Sequence, residues 1–561
     1  MKIIIVGGVA GGASAAARIR RLDEQAEIVI YERSGYVSYA NCGLPYYIGG
    51  IITDKEELTL QTPESFKARF DIDVKIKHEV MAIYPESKTI KIRNLKNNEV
   101  FTDSYDKLLL SPGARPVVPE LKGIDDERVF SLRTVEDTYR IRNFIEQNNP
   151  KSAVIAGGGF IGLEMAENLV DMGIKVELIQ RSMQVMQPLD YDMAVQLHHV
   201  LRKHGVSLKL GSSVEGFIRE GEGIITLLKD EKNVKTDMVI FAIGVEPESS
   251  LAAEAGLKLG TRGAIEVNDR MQTSDPDIYA VGDAVQVKHF VTGENTLISL
   301  AGPANKQGRI AADNICGGDS RFRGSQGSSV IKVFEMTAAS TGINEKTARN
   351  LGINYDKVIL SPASHASYYP GAKNMIMKII FERETNRLLG AQITGYDGVD
   401  KRIDVLSAAI HAGLMATELA ELELAYAPPF SSAKDPVNMA GFIIENIVTG
   451  KLKQFHFDEV DNLSRDGSVT LLDTRTRYEY KNGHVEGFKN IPVDELRDSI
   501  DLLDPDKPVY VMCQSGLRSY IAVRMLSQYG FDAYNLAGGY GFYSSIKKDM
   551  PQAVSKYGCG V

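Results

Sequence analysis

Four cysteines are spread through the chain: Cys42, Cys316, Cys513 and Cys559. No two have the spacing of a disulfide framework or a metal site, so each is weighed as a nucleophile and a reducing compartment is expected. Cys513 has the richest surroundings. It opens C-x-x-G-x-R (CQSGLR) after the apolar run VYVM, with a helix expected from near Ser519. A loop of that kind turns backbone N–H groups toward the sulfur, and the helix dipole and Arg518 add positive potential. All three favour a thiolate and a persulfide built on it. A phosphatase cradle usually carries C-x5-R, whereas only four residues separate Cys513 from Arg518. Cys42 lies in SYANCGLPY with no cysteine close to it in sequence. A lone redox cysteine can form a mixed disulfide with a small thiol, or a sulfenic acid. Cys316 reads as structural and Cys559 as a tail residue.

Two glycine turns point to a second chemistry. In GGGFIG, Gly157, Gly159 and Gly162 fit G-x-G-x-x-G between a strand and a helix, the form that brings backbone against a pyrophosphate. The residue placed to read the ribose is Gln180, followed by Arg181. An acidic residue there would have favoured NAD; Gln180 lacks the charge that repels a 2′-phosphate, and Arg181 can attract one, so NADH and NADPH stay open. In the earlier GGVAGG, Gly7, Gly8 and Gly12 are present but Val9 replaces the middle glycine. Glu32 lies 32 − 12 = 20 residues beyond Gly12, where a ribose-binding carboxylate is expected, with Arg33 beside it.

The elements that must hold these groups are legible as βαβ units. Residues 2–6 (KIIIV) and 27–31 (EIVIY) read as buried strands around a helix at 13–22; 153–156 and 175–179 do the same around 163–172. Further strands are expected at 107–115, 238–244 and 278–283, and a meander of 330–334, 375–381 and 388–393 before a helix near 404–411. At about 150 residues per domain, 561 residues suggest three or four domains. The net charge is 64 − 73 = −9, which supplies no basic field for nucleic acid. No apolar run reaches the ~18 residues of a membrane span, and glycines interrupt the apolar N-terminus, so a cytoplasmic protein without a membrane partner is expected.

Residues 273–284 (TSDPDIYAVGDA) resemble the second FAD motif of the two-dinucleotide-domain flavoprotein disulfide reductases. The resemblance implies FAD at the first turn with Asp283 on its ribityl chain, and NAD(P)H at the second. The large glutathione reductase group uses a C-x4-C pair; the single Cys42 resembles instead the coenzyme A-disulfide reductase, NADH oxidase and NADH peroxidase members. The last two carry a His where this chain has Ala10, which argues against them. Ser14, Arg18 and Arg21 share one helix face at i, i+4, i+7. Alone that face reads by default as a solvated basic one; the resemblance reverses this and implies coenzyme A binding by Ser14, Arg18, Arg21, Ser38, Asn41 and Lys434. It also implies that Tyr368 and Tyr426 reach the redox cysteine of a partner subunit in a homodimer.

Residues 473–479, 483–492 and 513–519 resemble a single rhodanese domain, in which the usual tryptophan of L-x-G-G-x-x-x-W is Tyr543. The whole chain is similar to coenzyme A-disulfide reductase–rhodanese fusions, including persulfide and polysulfide reductases. The fold class expected is therefore α/β. It comprises an FAD domain (1–110 and 245–322), an NAD(P) domain (111–244), an α+β dimerisation domain (325–445), a linker (446–460) and a rhodanese domain (461–561). The implied activity is NAD(P)H-dependent reduction of coenzyme A persulfide or polysulfide with release of sulfide. Cys42, Cys513, Tyr368, Tyr426 and Arg518 would be catalytic, and no metal is expected. A coenzyme A-disulfide reductase with an accessory rhodanese, and a sulfurtransferase with a redox-sensing flavin module, are the alternatives.

Overall fold

The computed structural model describes residues 1–229 and 231–554; Cys559 lies outside them. Two compact bodies divide the chain, Met1–Val185 with His204–Gly327, and Met186–Lys203 with Ser328–Val561.

The first body is built on two parallel sheets. One has strand order Ile278–Ala280, Lys107–Leu110, Lys2–Val6, Glu27–Glu32, Asp73–Ile76. Its central strand is a run of isoleucines, and Ile3, Ile4 and Ile5 are fully buried. Burial on both faces is what a parallel strand between helix layers requires. Each such side chain contributes about 1.5–3 kcal/mol, so this centre fixes where the following turn lies. The other sheet runs Ser207–Leu210, Lys175–Gln180, Ser152–Ala156, Met238–Phe241, Val129–Phe130. In both, the strand that leads into the glycine turn lies where the strand order reverses. A crevice opens there at the carboxyl ends of the strands.

The helices after the turns start earlier than their composition suggests, at Ala10 (Ala10–Leu22) and Phe160 (Phe160–Asp171). The reason is the last glycine of each turn. A Cβ on Gly12 would lie 2.0 Å from the Gly7 carbonyl oxygen, and one on Gly162 1.9 Å from that of Gly157. Only glycine lets the first helical turn close against the loop, so Gly12 and Gly162 sit inside their helices.

The second body contains an antiparallel sheet ordered Ser329–Val333, Met336–Gly342, Leu388–Gly395, Ile376–Glu382, Tyr355–Leu360. The expected meander is there, with two further strands, Met336–Gly342 and Tyr355–Leu360. Polar residues interrupt both runs in sequence, yet Lys357 and Ser340 are buried. Near this sheet Asp190, Asp192 and Glu345 bring carboxylate oxygens within 4.8 Å of one another. The fully buried Lys378 ammonium bonds Asp190 and Asp192 at 2.9 Å each, and Glu345 as well. Lys357 Nζ at 2.9 Å and Arg349 Nη2 at 3.0 Å also pair with Glu345, so three cations meet three carboxylates, as they must where an unpaired buried charge would cost several kcal/mol.

A five-stranded parallel sheet completes this body, ordered Lys453–Phe455, Ala533–Leu536, Val509–Met512, Thr470–Asp473, Lys489–Asn490. Its edge strand corrects the expected linker at 446–460. The helix Pro436–Val448 runs into that stretch, and Lys453–Phe455 pairs in parallel with Tyr534, Asn535 and Leu536. Phe455 is buried in the core of this sheet with Tyr543. Tyr543, which stands where the motif usually has tryptophan, donates its hydroxyl to Asp461 at 2.8 Å.

Candidate active site

In the first turn, the Gly8 N–H donates to Glu32 Oε2 at 2.9 Å and the Ser34 N–H to Oε1 at 2.8 Å. Glu32 is thereby fixed at the strand end as a buried acceptor. Arg33 beside it is exposed and paired with Glu248 at 3.2 Å. In the second turn Gln180 repeats the Glu32 contact, accepting the Gly158 N–H on Oε1 at 2.9 Å. The helices that follow have Val9 and Gly159 at their N-caps, neither with a side-chain cap, and no acidic residue in the first turn. Free N–H groups therefore face each crevice, as a pyrophosphate requires. Gly159 adds a direct observation: a Cβ there would meet no atom within 4 Å. Packing does not demand this glycine, and the open space is the cradle that a dinucleotide backbone would fill. The residues present fit two dinucleotides.

Cys42 lies in the single turn Asn41–Gly43, just before the helix Leu44–Ile48. Its side chain reaches solvent, yet the protein packed on its other sides is enough to push the thiol upward. The Glu164 and Asp283 carboxylates add to that push, and Arg133 opposes it. Burial also raises Asp283, again against Arg133. Glu164, on the helix after the second turn, is lifted by burial and then by Glu167 to about 7.

Arg133 and Glu164 are the residues that sequence reasoning missed. Arg133 donates to the Ala114 carbonyl at 2.8 Å and to Asp283 at 3.3 Å. With the Asn41 amide oriented by its partners, Asn41 accepts from Arg133 Nη1 at 2.6 Å and donates to its carbonyl at 3.0 Å. One guanidinium thus ties the cysteine turn to Asp283. Neither residue belongs to a motif, so no local pattern could have marked them.

On the helix Ala10–Leu22, the Ser14 hydroxyl is 2.5 Å from Asn305 Oδ1, and Arg18 Nε bonds Asp313 at 2.7 Å. Both partners are on Ala301–Ile315. Arg21 is exposed, and Ser38 takes a left-handed conformation, φ 49°, leading into the cysteine turn. The basic face is therefore partly engaged: Arg18 has a carboxylate partner and Arg21 faces solvent.

The remaining candidates stand in the second body. The Tyr368 and Tyr426 hydroxyls are 2.6 Å apart, on side chains 74% and 46% exposed. That hydrogen bond pushes Tyr426 upward. Lys434 is exposed, just ahead of Asp435, which caps the helix Pro436–Val448. Cys513 is fully buried at the end of Val509–Met512. Gly516, at φ +95°, folds the loop back, so that its N–H donates to Cys513 Sγ at 3.2 Å. The Ser519 hydroxyl donates to the same sulfur at 3.2 Å. Ser519 is thus a second donor to the sulfur, beyond those the motif suggested. Arg518 is clamped by Glu479 through two 2.7 Å bonds, and that clamp holds the carboxyl down at about 2.

A family model described as pyridine nucleotide-disulphide oxidoreductase matches residues 1–308. The chain belongs to that family. Its dimerisation domain matches 328–436 and a rhodanese-like domain 456–545. Coenzyme A disulfide reductase of Staphylococcus haemolyticus is 39% identical over 79% of this chain and 98% of its own. The reduced CoADR-RHD of Bacillus anthracis is 49% identical over 98% of both chains, with a TM-score of 0.95. A NAD-dependent persulfide reductase from A. fulgidus is 38% identical over 97% of this chain and 100% of its own, with a TM-score of 0.90. An engineered water-forming NADPH oxidase bound to NADPH, made from the Lactobacillus brevis NADH oxidase, is 30% identical over 80% of this chain and 100% of its own, with a TM-score of 0.77. Its substitutions include Asp→Ala, Ala→Arg and Met→Ser at three successive positions. The protein is a flavin- and nicotinamide-dependent oxidoreductase of the disulfide reductase family that also carries a rhodanese domain.

Proposed function

We propose that the protein is an FAD-dependent NAD(P)H:coenzyme A persulfide or polysulfide reductase that releases sulfide, with the rhodanese domain handling sulfane sulfur. The observation that carries this reading is the presence of two unlike sulfur sites. Cys42 is a solvent-reaching thiol with no second cysteine in its turn. Cys513 is buried, with two donors on its sulfur that suit a thiolate or persulfide.

At the rhodanese site, the Cys513 thiolate attacks the outer sulfur of a donor. Its S–S bond breaks and the donor leaves as an anion, sulfite in the case of thiosulfate. The Gly516 N–H and Ser519 hydroxyl stabilise the sulfur anion throughout. The coenzyme A thiolate then takes the outer sulfur, giving coenzyme A persulfide and restoring Cys513. At Cys42, the thiolate bonds to the sulfur attached to coenzyme A, the persulfide S–S bond breaks, and hydrosulfide leaves. When bound, NAD(P)H and FAD supply the electron pair that cleaves the resulting mixed disulfide to the Cys42 thiolate and coenzyme A. In this reading Ser14, Arg18, Arg21, Ser38, Asn41 and Lys434 hold coenzyme A. Arg133 keeps Asn41 and Asp283 in place, and in a homodimer the Tyr368–Tyr426 pair of one subunit gives a proton to the coenzyme A thiolate leaving Cys42 of the other. A reducing cytoplasm suits the chain, because the cysteines among the described residues are free thiols. No helix among those residues is long and apolar enough to cross a membrane.

The test is anaerobic nicotinamide oxidation with coenzyme A persulfide while sulfide is measured. Cys42→Ser stops turnover and spares thiosulfate:cyanide sulfur transfer; Cys513→Ser does the reverse. Persulfide reduction at normal rate by Cys42→Ser overturns the scheme. The Staphylococcus relative favours a second reading, coenzyme A disulfide as the substrate; fast turnover on the disulfide alone would select it.

A further inference from the structure

The two glycine turns are built alike except at the residue that closes them, and that difference bears on which nicotinamide enters. Glu32 closes the first turn with a carboxylate, which can only accept hydrogen bonds. That suits ribose hydroxyls. Gln180 closes the second. Its Oε1 is turned toward the Gly158 N–H at 2.9 Å, which leaves its Nε2 on the opposite side, donating to Ser182 Oγ at 2.6 Å. An amide nitrogen carries two hydrogens, so one remains to be given. The Ser182 hydroxyl passes its own hydrogen to the Gln184 carbonyl at 2.7 Å, and the amide and hydroxyl together order the loop after the strand. Arg181, between them, is exposed and makes no hydrogen bond or ion pair among the described residues. The carboxylate of Glu177 on the same strand is drawn toward Lys209 at 3.7 Å, so it does not neutralise Arg181.

We propose that the second turn selects the 2′-phosphorylated nicotinamide, NADPH over NADH, with Arg181 supplying the charge and the Gln180 amide a further donor. The inference rests on the reading above that this turn holds the nicotinamide nucleotide. A phosphate dianion needs donors and positive charge, and a carboxylate at the strand end would repel it. Here the strand end offers the second amide hydrogen of Gln180 and the Arg181 guanidinium, while the Ser182 hydroxyl, spent on the Gln184 carbonyl, only orders the loop. The same two types, arginine then serine, were introduced at successive positions in the engineered oxidase that binds NADPH, where an aspartate before them was removed. In that protein the aspartate lay 18 residues beyond an altered glycine, and Gln180 lies 180 − 162 = 18 residues beyond Gly162.

Calorimetric titration of the oxidised holoenzyme with NADP+ and NAD+ tests this without turnover. NADP+ binds about tenfold or more tighter, the worth of one charge-assisted contact, and loses that margin as salt rises. Arg181→Ala removes most of the margin and leaves NAD+ within about twofold, as for an exposed position. Gln180→Glu, which keeps the bond to Gly158, moves the preference to NAD+. Tighter NAD+ binding by the native protein, or an equal loss for both nucleotides in Arg181→Ala, overturns the inference. If neither nucleotide binds, the proposed function itself fails, which is a different result.

Discussion

At the scale of single residues, the site works by setting charge around sulfur. Cys42 is raised by its surroundings and by carboxylates, chiefly Glu164, while Arg133 pulls it back. Because Glu164 itself is lifted to about 7, it gains its charge in the physiological range, and as it does so it makes the Cys42 thiolate harder to form. Glu164→Gln removes that repulsion. The midpoint for iodoacetamide alkylation of Cys42 in the reduced holoenzyme then moves to lower pH; an unchanged or higher midpoint would show that Glu164 does not face the sulfur. The contrast with Cys513 is instructive. Its donors come from three and six residues away in sequence, and the motif announced the loop N–H though not the Ser519 hydroxyl. Arg133 and Glu164 act on Cys42 from distant parts of the chain, so only the folded structure reveals them.

At the scale of elements, the helix Tyr191–Lys203 lies in sequence between two strands of the first body, yet it belongs to the second. There it grips the last described helix, Gly539–Val554. Asp549, almost wholly buried, receives Tyr191 Oη at 2.8 Å, lies 2.9 Å from His198 Nδ1, and pairs with Arg202. Against the upward push of burial, these partners hold the Asp549 carboxyl well below the usual range. A depressed carboxyl contributes stability that is full above its unfolded value of about 3.9 and fades as pH falls below it. Asp549→Ala removes the carboxylate that Tyr191, His198 and Arg202 share, and removal of one member of a buried pair costs about 3 kcal/mol. Calorimetric melting at neutral pH should show a clear drop in the transition of this body, and a smaller one near pH 3. None of this was readable from sequence, where residues 191 and 549 are linked by no motif. The βαβ units were readable, because a run such as KIIIV has one stable use, as a strand buried on both faces. The strands Met336–Gly342 and Tyr355–Leu360 were not, because their buried polar residues are balanced by partners remote in sequence.

At the scale of the whole molecule, the order of the modules was legible from motifs, but the seam between the last two was not. Residues 446–460 carry no strong pattern, and three residues of strand are too short to stand out. They became a strand only because Ala533–Leu536 offered them a backbone edge. The family model for the rhodanese domain starts at 456, one residue after that strand ends. A fragment cut at that point would lose the buried Phe455 ring and bare the unpaired edge of Ala533–Leu536, an invitation to pair with another chain. In sedimentation such a fragment should associate with itself, whereas one begun at 451 should stay single. The seam therefore governs how this chain can be taken apart, in the laboratory or by recombination. A rhodanese unit that moves to a new host must bring its leading strand with it, or borrow one from its neighbour.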